Sequence, residues 1–100
     1  MPAVSRLGDM STGHGCFSPT NLITTPVAKT FFNGKLAAVV DSNCKFAAHT
    51  CGITTHNSDI RIPSSGASKT YIEGKKAARI GDNIQCGDAI AEGSTNSFIE

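Results

Sequence analysis

The residues of this sequence that could do chemistry are three histidines and four cysteines: His14, His49, His56, Cys16, Cys44, Cys51 and Cys86. They occur in three clusters, at positions 14–16, at positions 44–56 and at position 86. Imidazole and thiolate together are ligands that Zn²⁺ accepts in a tetrahedral site, and zinc brings no redox chemistry of its own. The residue types therefore predict a structural zinc site, with iron as the alternative ion.

Seven candidates compete for the four positions of a tetrahedral site. The three histidines with Cys86 draw on all three clusters, which leaves Cys16, Cys44 and Cys51 as buried thiols or as alternate ligands. Cys51 is the nearest alternate to His49, because only one residue separates the two. No pair has the Cys-x-x-Cys spacing. The prediction of a metal site therefore rests on the number of candidate ligands and not on a motif. A small chain with few large apolar residues also needs an additional cross-link, such as a bound metal ion, for stability.

An internal repeat determines where these clusters lie. Residues 28–38 and 68–78 are displaced by 40 positions and share six of eleven residues. A third copy is split between the ends of the chain, because residues 95–100 match its first half and residues 6–9 match its second half. Two whole units and one divided unit predict a closed pseudo-threefold arrangement in which the ends of the chain meet.

Each unit has the pattern of a β-hairpin. Small polar and large apolar residues alternate, the chain turns at Asn33-Gly34 or Glu73-Gly74, and a short alanine-rich run follows. No window has the apolar periodicity of a helix, so we expect almost no helix. Three hairpins around one axis would send their connectors to the same end and bring the histidines and cysteines together. The fold class predicted is mostly β, with short hairpins in pseudo-threefold symmetry.

The size and charge of the chain restrict its partners. One hundred residues leave room for a single domain, residues 1–100, and the formal net charge is only +1. Such a balance provides no basic face, so we expect no nucleic-acid partner and no binding to an anionic membrane. No segment approaches the ~18 apolar residues of a membrane span, and no secretory signal is recognised. We therefore expect folding in the cytoplasm, where cysteines are thiols or metal ligands rather than disulfides.

Catalytic arrangements find little support in the sequence. Asp9 and Asp82 each follow a glycine in a repeated turn, where an aspartate binds nearby backbone. No nucleophile-elbow motif is present, and four protein ligands would close a zinc site against substrate. We predict no catalytic residues and no enzymatic activity, and a free-standing zinc protein with hydrolytic or redox activity is the alternative. The repeated aromatic residues are interpreted as core or base-packing positions: Phe31, Phe32, Tyr71 and Phe98.

The sequence resembles the PAAR-repeat proteins over nearly its whole length. The segments that carry the resemblance are residues 6–16, residues 74–82, Cys86-Gly87, Gly93-Ser94 and Phe98-Ile99. The Pro-Ala-Ala-Arg tetrad appears as Lys-Ala-Ala-Arg at 76–79 and as Leu-Ala-Ala-Val at 36–39. The middle copy also has Asp-Ser at 41–42, where the repeat predicts Gly-Asp.

The resemblance implies the tip of a contractile injection machine, either a type VI secretion system or a contractile phage tail. It implies a small cone of short strands whose base docks on a trimeric β-helical spike, with one copy per trimer. Zinc would lie near the apex, held by His14, His49, His56 and Cys86. Any effector cargo would be a separate chain. The target envelope would be contacted mechanically, without stable membrane insertion, after delivery outside the cell without a signal peptide.

Overall fold

The computed structural model describes residues 2–99. In this part of the chain the regular structure is eight strands of two or three residues, paired as four antiparallel two-stranded sheets, and one short 3₁₀ helix, Ser58–Ile60. The prediction of a mostly β fold with almost no helix is confirmed. In chain order the strands are β1 (Leu22–Thr24), β2 (Phe31–Phe32), β3 (Lys35–Leu36), β4 (Lys45–Phe46), β5 (His49–Cys51), β6 (Thr54–His56), β7 (Tyr71–Ile72) and β8 (Lys75–Lys76).

The two predicted hairpins are β2–β3 and β7–β8, and each turns at the expected pair of residues. Both turn residues of each pair have positive φ, with values of 55° and 79° at Asn33 and Gly34 and of 52° and 85° at Glu73 and Gly74. Two successive positive φ angles are typical of the type I′ turn, whose twist matches that of paired strands.

Glutamate rarely adopts a positive φ, and its side chain here explains why the turn forms. The carboxylate of Glu73 accepts hydrogen bonds from the backbone N–H groups of Ala28 and Lys29 and from the hydroxyl of Thr30. These three donors belong to the first repeat unit, so the turn of the second unit is fastened to its neighbour. The same hydrogen bonds lower the pKa of Glu73, with the Lys29 N–H as the largest cause.

The split unit closes as the repeat predicts. Phe98 pairs with Ala3 in an antiparallel bridge, at the position where Tyr71 pairs with Lys76. The N–H of Ile99 donates to the carbonyl oxygen of Pro2, at 2.9 Å. The ends of the described chain therefore meet, while Glu100, the last residue of the predicted unit, lies outside the described residues.

A closed ring of three backbone hydrogen bonds joins the units at their centre. The N–H of Ser5 donates to the carbonyl oxygen of Ala78 at 2.9 Å. Ala78 donates to Ala38 at 3.0 Å, and Ala38 donates to Ser5 at 2.9 Å. The three residues are equivalent in the repeat, and all are fully buried. The pseudo-threefold prediction is thus confirmed at atomic level.

The core around this ring is narrow. The described residues extend over 38 × 24 × 22 Å, and many of the buried apolar side chains are small. The largest apolar side chains with less than 2% of their surface exposed include Leu22, Phe46, Ile90, Val4 and Val39. Among residues 2–99, no helix has both the length and the apolar character that a membrane span requires.

Two of the three units close their turn with an Arg–Asp ion pair. Asp9 accepts hydrogen bonds from the backbone N–H and the guanidinium of Arg6, and Asp82 accepts the same set from Arg79. The aspartates therefore have the turn role that the sequence predicts. In the middle unit valine replaces the arginine, and Asp41 accepts instead from the N–H of Asn43 at 2.8 Å.

Loss of the Asp9 carboxylate should destabilise the fold. Arg6 and Asp9 have side chains that are only 11% and 4% exposed, so Asp9→Asn would leave a nearly buried guanidinium without its counter-ion. We expect a loss of about 3–5 kcal/mol in the free energy of unfolding, measured by denaturant titration. Asp41→Asn is the matched control, because its ion pair with Lys75 is long and partly exposed, and its cost should stay below about 1 kcal/mol. Equal losses in the two variants would contradict the role assigned to the Arg6–Asp9 pair.

Candidate metal centre

The structure brings all four predicted ligand residues together. One ligand atom from each of His14, His49, His56 and Cys86 lies within 4.8 Å of the others. His14 lies on the connector that follows the first Arg–Asp turn, and Cys86 lies on the connector that follows the second. His49 and His56 are direct partners on β5 and β6. The predicted convergence of the connectors at one place is therefore observed.

The hairpin formed by β5 and β6 was not predicted, because its residues lie outside the repeat units and were interpreted as a plain connector. Thr50, Thr54 and Thr55 favour extended structure, and Gly52 has the positive φ, 62°, that the turn requires. Directly opposite residues of an antiparallel pair project from the same face. The hairpin therefore sets two imidazoles side by side although their residues are seven positions apart.

His49 is held in the tautomer that a metal site needs. Its Nδ1 lies 2.9 Å from the carbonyl oxygen of Ser18, which can only accept, so Nδ1 carries the proton and Nε2 carries the lone pair. Nε2 lies 3.1 Å from His56 Nδ1 and 3.8 Å from Cys86 Sγ. Burial lowers the pKa of His49 below its usual value, which favours the neutral imidazole.

His14 provides the test of whether the residues fit a metal. Within residues 2–99 neither of its ring nitrogens has a hydrogen-bond partner, although both atoms are buried. A buried polar atom without a partner costs free energy, and a metal bond to one nitrogen would remove that cost at this atom. The donor set of three imidazoles and one thiol also suits a tetrahedral ion. The four residues therefore fit a metal and could hold one.

Phe17, which no sequence pattern identified, forms an apolar wall of the cluster. Its ring centroid lies 4.0 Å from that of His56, 4.7 Å from that of His49 and 4.8 Å from that of His14. Phe17 pairs with His14 in a short bridge, and the turn between them contains Gly15, where φ is 56°. The aromatic residue thus orders all three imidazoles and shields them on one side.

The remaining cysteines depart from the sequence prediction. Cys16 and Cys51 form a disulfide, with their Cα atoms 5.4 Å apart, whereas free thiols or alternate ligands were expected. The β5–β6 hairpin carries Cys51 to the connector of Cys16, a proximity that cannot be read without that hairpin. Cys16 is also exposed rather than buried. Cys44 is a fully buried free thiol, as expected, and lies outside the cluster.

Arg61 is a second residue that no sequence signal identified. Its guanidinium is fully buried beside the cluster, where it forms an ion pair with Asp88 at 3.0 Å. The same group lies 2.9 Å from Cys86 Sγ and 3.0 Å from His49 Nε2. A buried arginine between two candidate ligands was missed because its only local context is a short irregular segment after the 3₁₀ helix.

Three aromatic residues are exposed at equivalent positions of the repeat. Phe31, Tyr71 and Phe98 are 57%, 58% and 53% exposed, and they occupy equivalent positions in the three units. Of the two interpretations, core or base-packing, the core one is therefore wrong for these three, and base packing stays a prediction. Phe32 is half-buried and packs against the core.

The two free thiols should differ in reactivity. Burial raises the pKa of Cys44 from 9.0 to about 11, which reduces its thiolate fraction about 100-fold near neutral pH. At pH 8, iodoacetamide should modify Cys86 in metal-free native protein and leave Cys44 unmodified until denaturant is added. Added zinc should protect Cys86 without changing Cys44, as measured by peptide mass spectrometry. Rapid modification of Cys44 in the native protein would contradict the burial described here.

Comparison with known proteins agrees with this arrangement. A search of curated proteins gives no match. The sequence profile of the family described as PAAR motif matches residues 7–92, which include the whole candidate cluster and both complete repeat units. Because that match covers most of the 100 residues, the chain belongs to the PAAR motif family.

Proposed function

We propose that this chain is a non-enzymatic spike tip: it caps a trimeric β-helical spike of a contractile injection machine and sharpens it for passage through a target envelope. The observation that carries the proposal is the closed ring through Ser5, Ala38 and Ala78. One chain thereby offers three equivalent surfaces to a partner with true threefold symmetry. Membership of the PAAR motif family supports the same role.

The docking face in this proposal is the aromatic triad of Phe31, Tyr71 and Phe98. More than half of each side chain is exposed, and each lies one or two positions from the turn or chain end of its unit. Aromatic side chains bury a large area with few rotatable bonds, so they are well suited to anchor an interface. Three such anchors in pseudo-threefold positions would each meet the same groove on a different subunit of a trimer.

In the same proposal we assign His14, His49, His56 and Cys86 as the ligands of one zinc ion. When bound, the ion would supply a rigid cross-link between the three connectors, in a region too narrow for a hydrophobic core of its own. Four protein ligands leave no open position for substrate, which favours a structural role over hydrolysis. The described residues also enclose no pocket.

We also infer where the protein acts. Tip and spike must be joined before the machine contracts, so the proposal places their assembly in the cytoplasm of the producing cell and delivers them outward as one body. Effector proteins would travel as separate chains attached to this assembly. Both a type VI secretion system and a contractile phage tail meet these conditions.

The metal assignment predicts one zinc per chain in purified protein, measured by elemental analysis. His14→Ala and Cys86→Ala should each lower the melting temperature sharply, because a structural zinc contributes on the order of 10 kcal/mol of apparent binding free energy. Cys44→Ala should lower it less, because that thiol lies outside the cluster. If the protein contains iron in place of zinc, the ligand assignment holds and only the identity of the ion changes. Protein that is folded as purified, without chelator treatment, and that contains neither zinc nor iron would contradict the assignment.

The docking proposal predicts a complex of one chain with one spike trimer, measured by native mass spectrometry with the β-helical spike encoded beside its gene. A double variant, Phe31→Ser with Tyr71→Ser, should bind the spike at least 10-fold more weakly while it keeps its metal. Ile53→Ser is the control, because Ile53 is fully exposed at the tip of the β5–β6 hairpin. Three copies per trimer, or metal-dependent hydrolysis that His56→Ala abolishes, would overturn the proposed function.

A further inference from the structure

Arg61 makes an unusually complete set of contacts for a residue outside the candidate ligand set. It is 0% exposed, and each of its three side-chain nitrogens has at least one partner. The guanidinium contacts the carbonyl oxygen of Ala47, the hydroxyls of Ser11 and Thr20, the carboxylate of Asp88, the ring of His49 and the sulfur of Cys86. Arginine presents five N–H groups in a rigid fork, so these contacts fix its position.

The contacts of Arg61 join all three connectors. Ser11 and Thr20 belong to the first connector, His49 belongs to the second, and Cys86 belongs to the third. These connectors meet only in the folded protein, so the guanidinium is a polar centre around which they are assembled.

Asp88 completes this centre. Its Oδ1 forms the ion pair with Arg61 at 3.0 Å, and both side chains are 0% exposed. Its Oδ2 accepts the backbone N–H of Gly13 at 3.1 Å, next to His14 in the chain. The Cys86 sulfhydryl also lies 3.5 Å from Oδ1. One carboxylate thus restrains the backbone that carries one candidate ligand and the side chain of another.

Folding stability alone is a weak explanation for this ion pair. Burial of two charges costs several kcal/mol of desolvation per ion, and apolar residues of similar volume often serve a core equally well. The feature that apolar residues could not reproduce is the pair of contacts from Nη1 to Cys86 Sγ, at 2.9 Å, and to His49 Nε2, at 3.0 Å. Those contacts order two candidate ligand atoms next to each other.

We propose that Arg61 is a positioning residue of the metal centre: with Asp88 as its counter-ion, it donates an N–H to the sulfur of Cys86 and holds that sulfur in place, and it orients His49 until metal binds. This inference rests on the proposed metal site. The donation to sulfur is compatible with a metal bond, because a thiolate has more than one lone pair. His49 Nε2 has one lone pair, so its contact with Nη1 gives way when the nitrogen binds metal.

Arg61→Lys tests the proposal, because lysine keeps the charge and loses the planar fork. Residues that orient metal ligands typically change metal affinity by 10–100-fold when replaced, so we expect zinc affinity, measured by chelator competition, to fall about 10–100-fold. In cobalt-loaded protein the thiolate-to-cobalt charge-transfer band should shift, since it reports hydrogen bonding at sulfur. Arg6→Lys is the matched control, because it alters a nearly buried Arg–Asp pair without contact to the cluster. It should lower stability and leave both metal readouts unchanged.

Asp88→Asn provides a second test if Arg61→Lys does not fold. It removes the counter-ion while Arg61 stays, and it should also lower zinc affinity about 10–100-fold. Where a variant folds only with metal, affinity is obtained from the zinc dependence of folding. Unchanged affinity with an unshifted band would overturn the proposal. Tighter zinc binding by Arg61→Lys would also overturn it, because Arg61 would then be a competitor for His49. Wild-type protein that binds no metal would instead contradict the proposed metal site.

Discussion

The three backbone hydrogen bonds that join Ser5, Ala38 and Ala78 constrain everything else in this molecule. Three segments of the chain can approach one axis this closely only if the residues at the axis are small. Alanine or serine occupies all three positions. Small residues at the centre leave little apolar volume to bury. The symmetry and the thin core are therefore two results of the same constraint.

A thin core must be supplemented by other interactions. The Arg–Asp turns and the buried Arg61–Asp88 pair supply charged hydrogen bonds, and the His/Cys cluster supplies candidate metal ligands. The disulfide between Cys16 and Cys51 links two of the connectors. Stability of the connectors thus depends on specific bonds more than on buried apolar area.

The repeat made much of the fold predictable, because it marks the positions of hairpins and requires a closed arrangement. The turns at Asn33 and Glu73 and the pairing of the chain ends could be predicted for this reason, as could the convergence of the histidines. The β5–β6 hairpin belongs to one unit only, so the repeat contained no information about it. Arg61 and the Cys16–Cys51 pair depend on that hairpin and on long-range packing. Their roles could not be predicted from local sequence.

The ring also determines when the protein can fold. Its hydrogen bonds join residues that are 33, 40 and 73 positions apart, so most of the chain entropy must be lost before any of them is secure. An isolated hairpin of two-residue strands is not stable in water. Ser5 and Ala38 leave the ribosome early, but their ring cannot close until the segment with Ala78 has been synthesised. The split unit cannot pair until Phe98 has been synthesised. The protein therefore folds after synthesis of these segments, as one cooperative event rather than unit by unit.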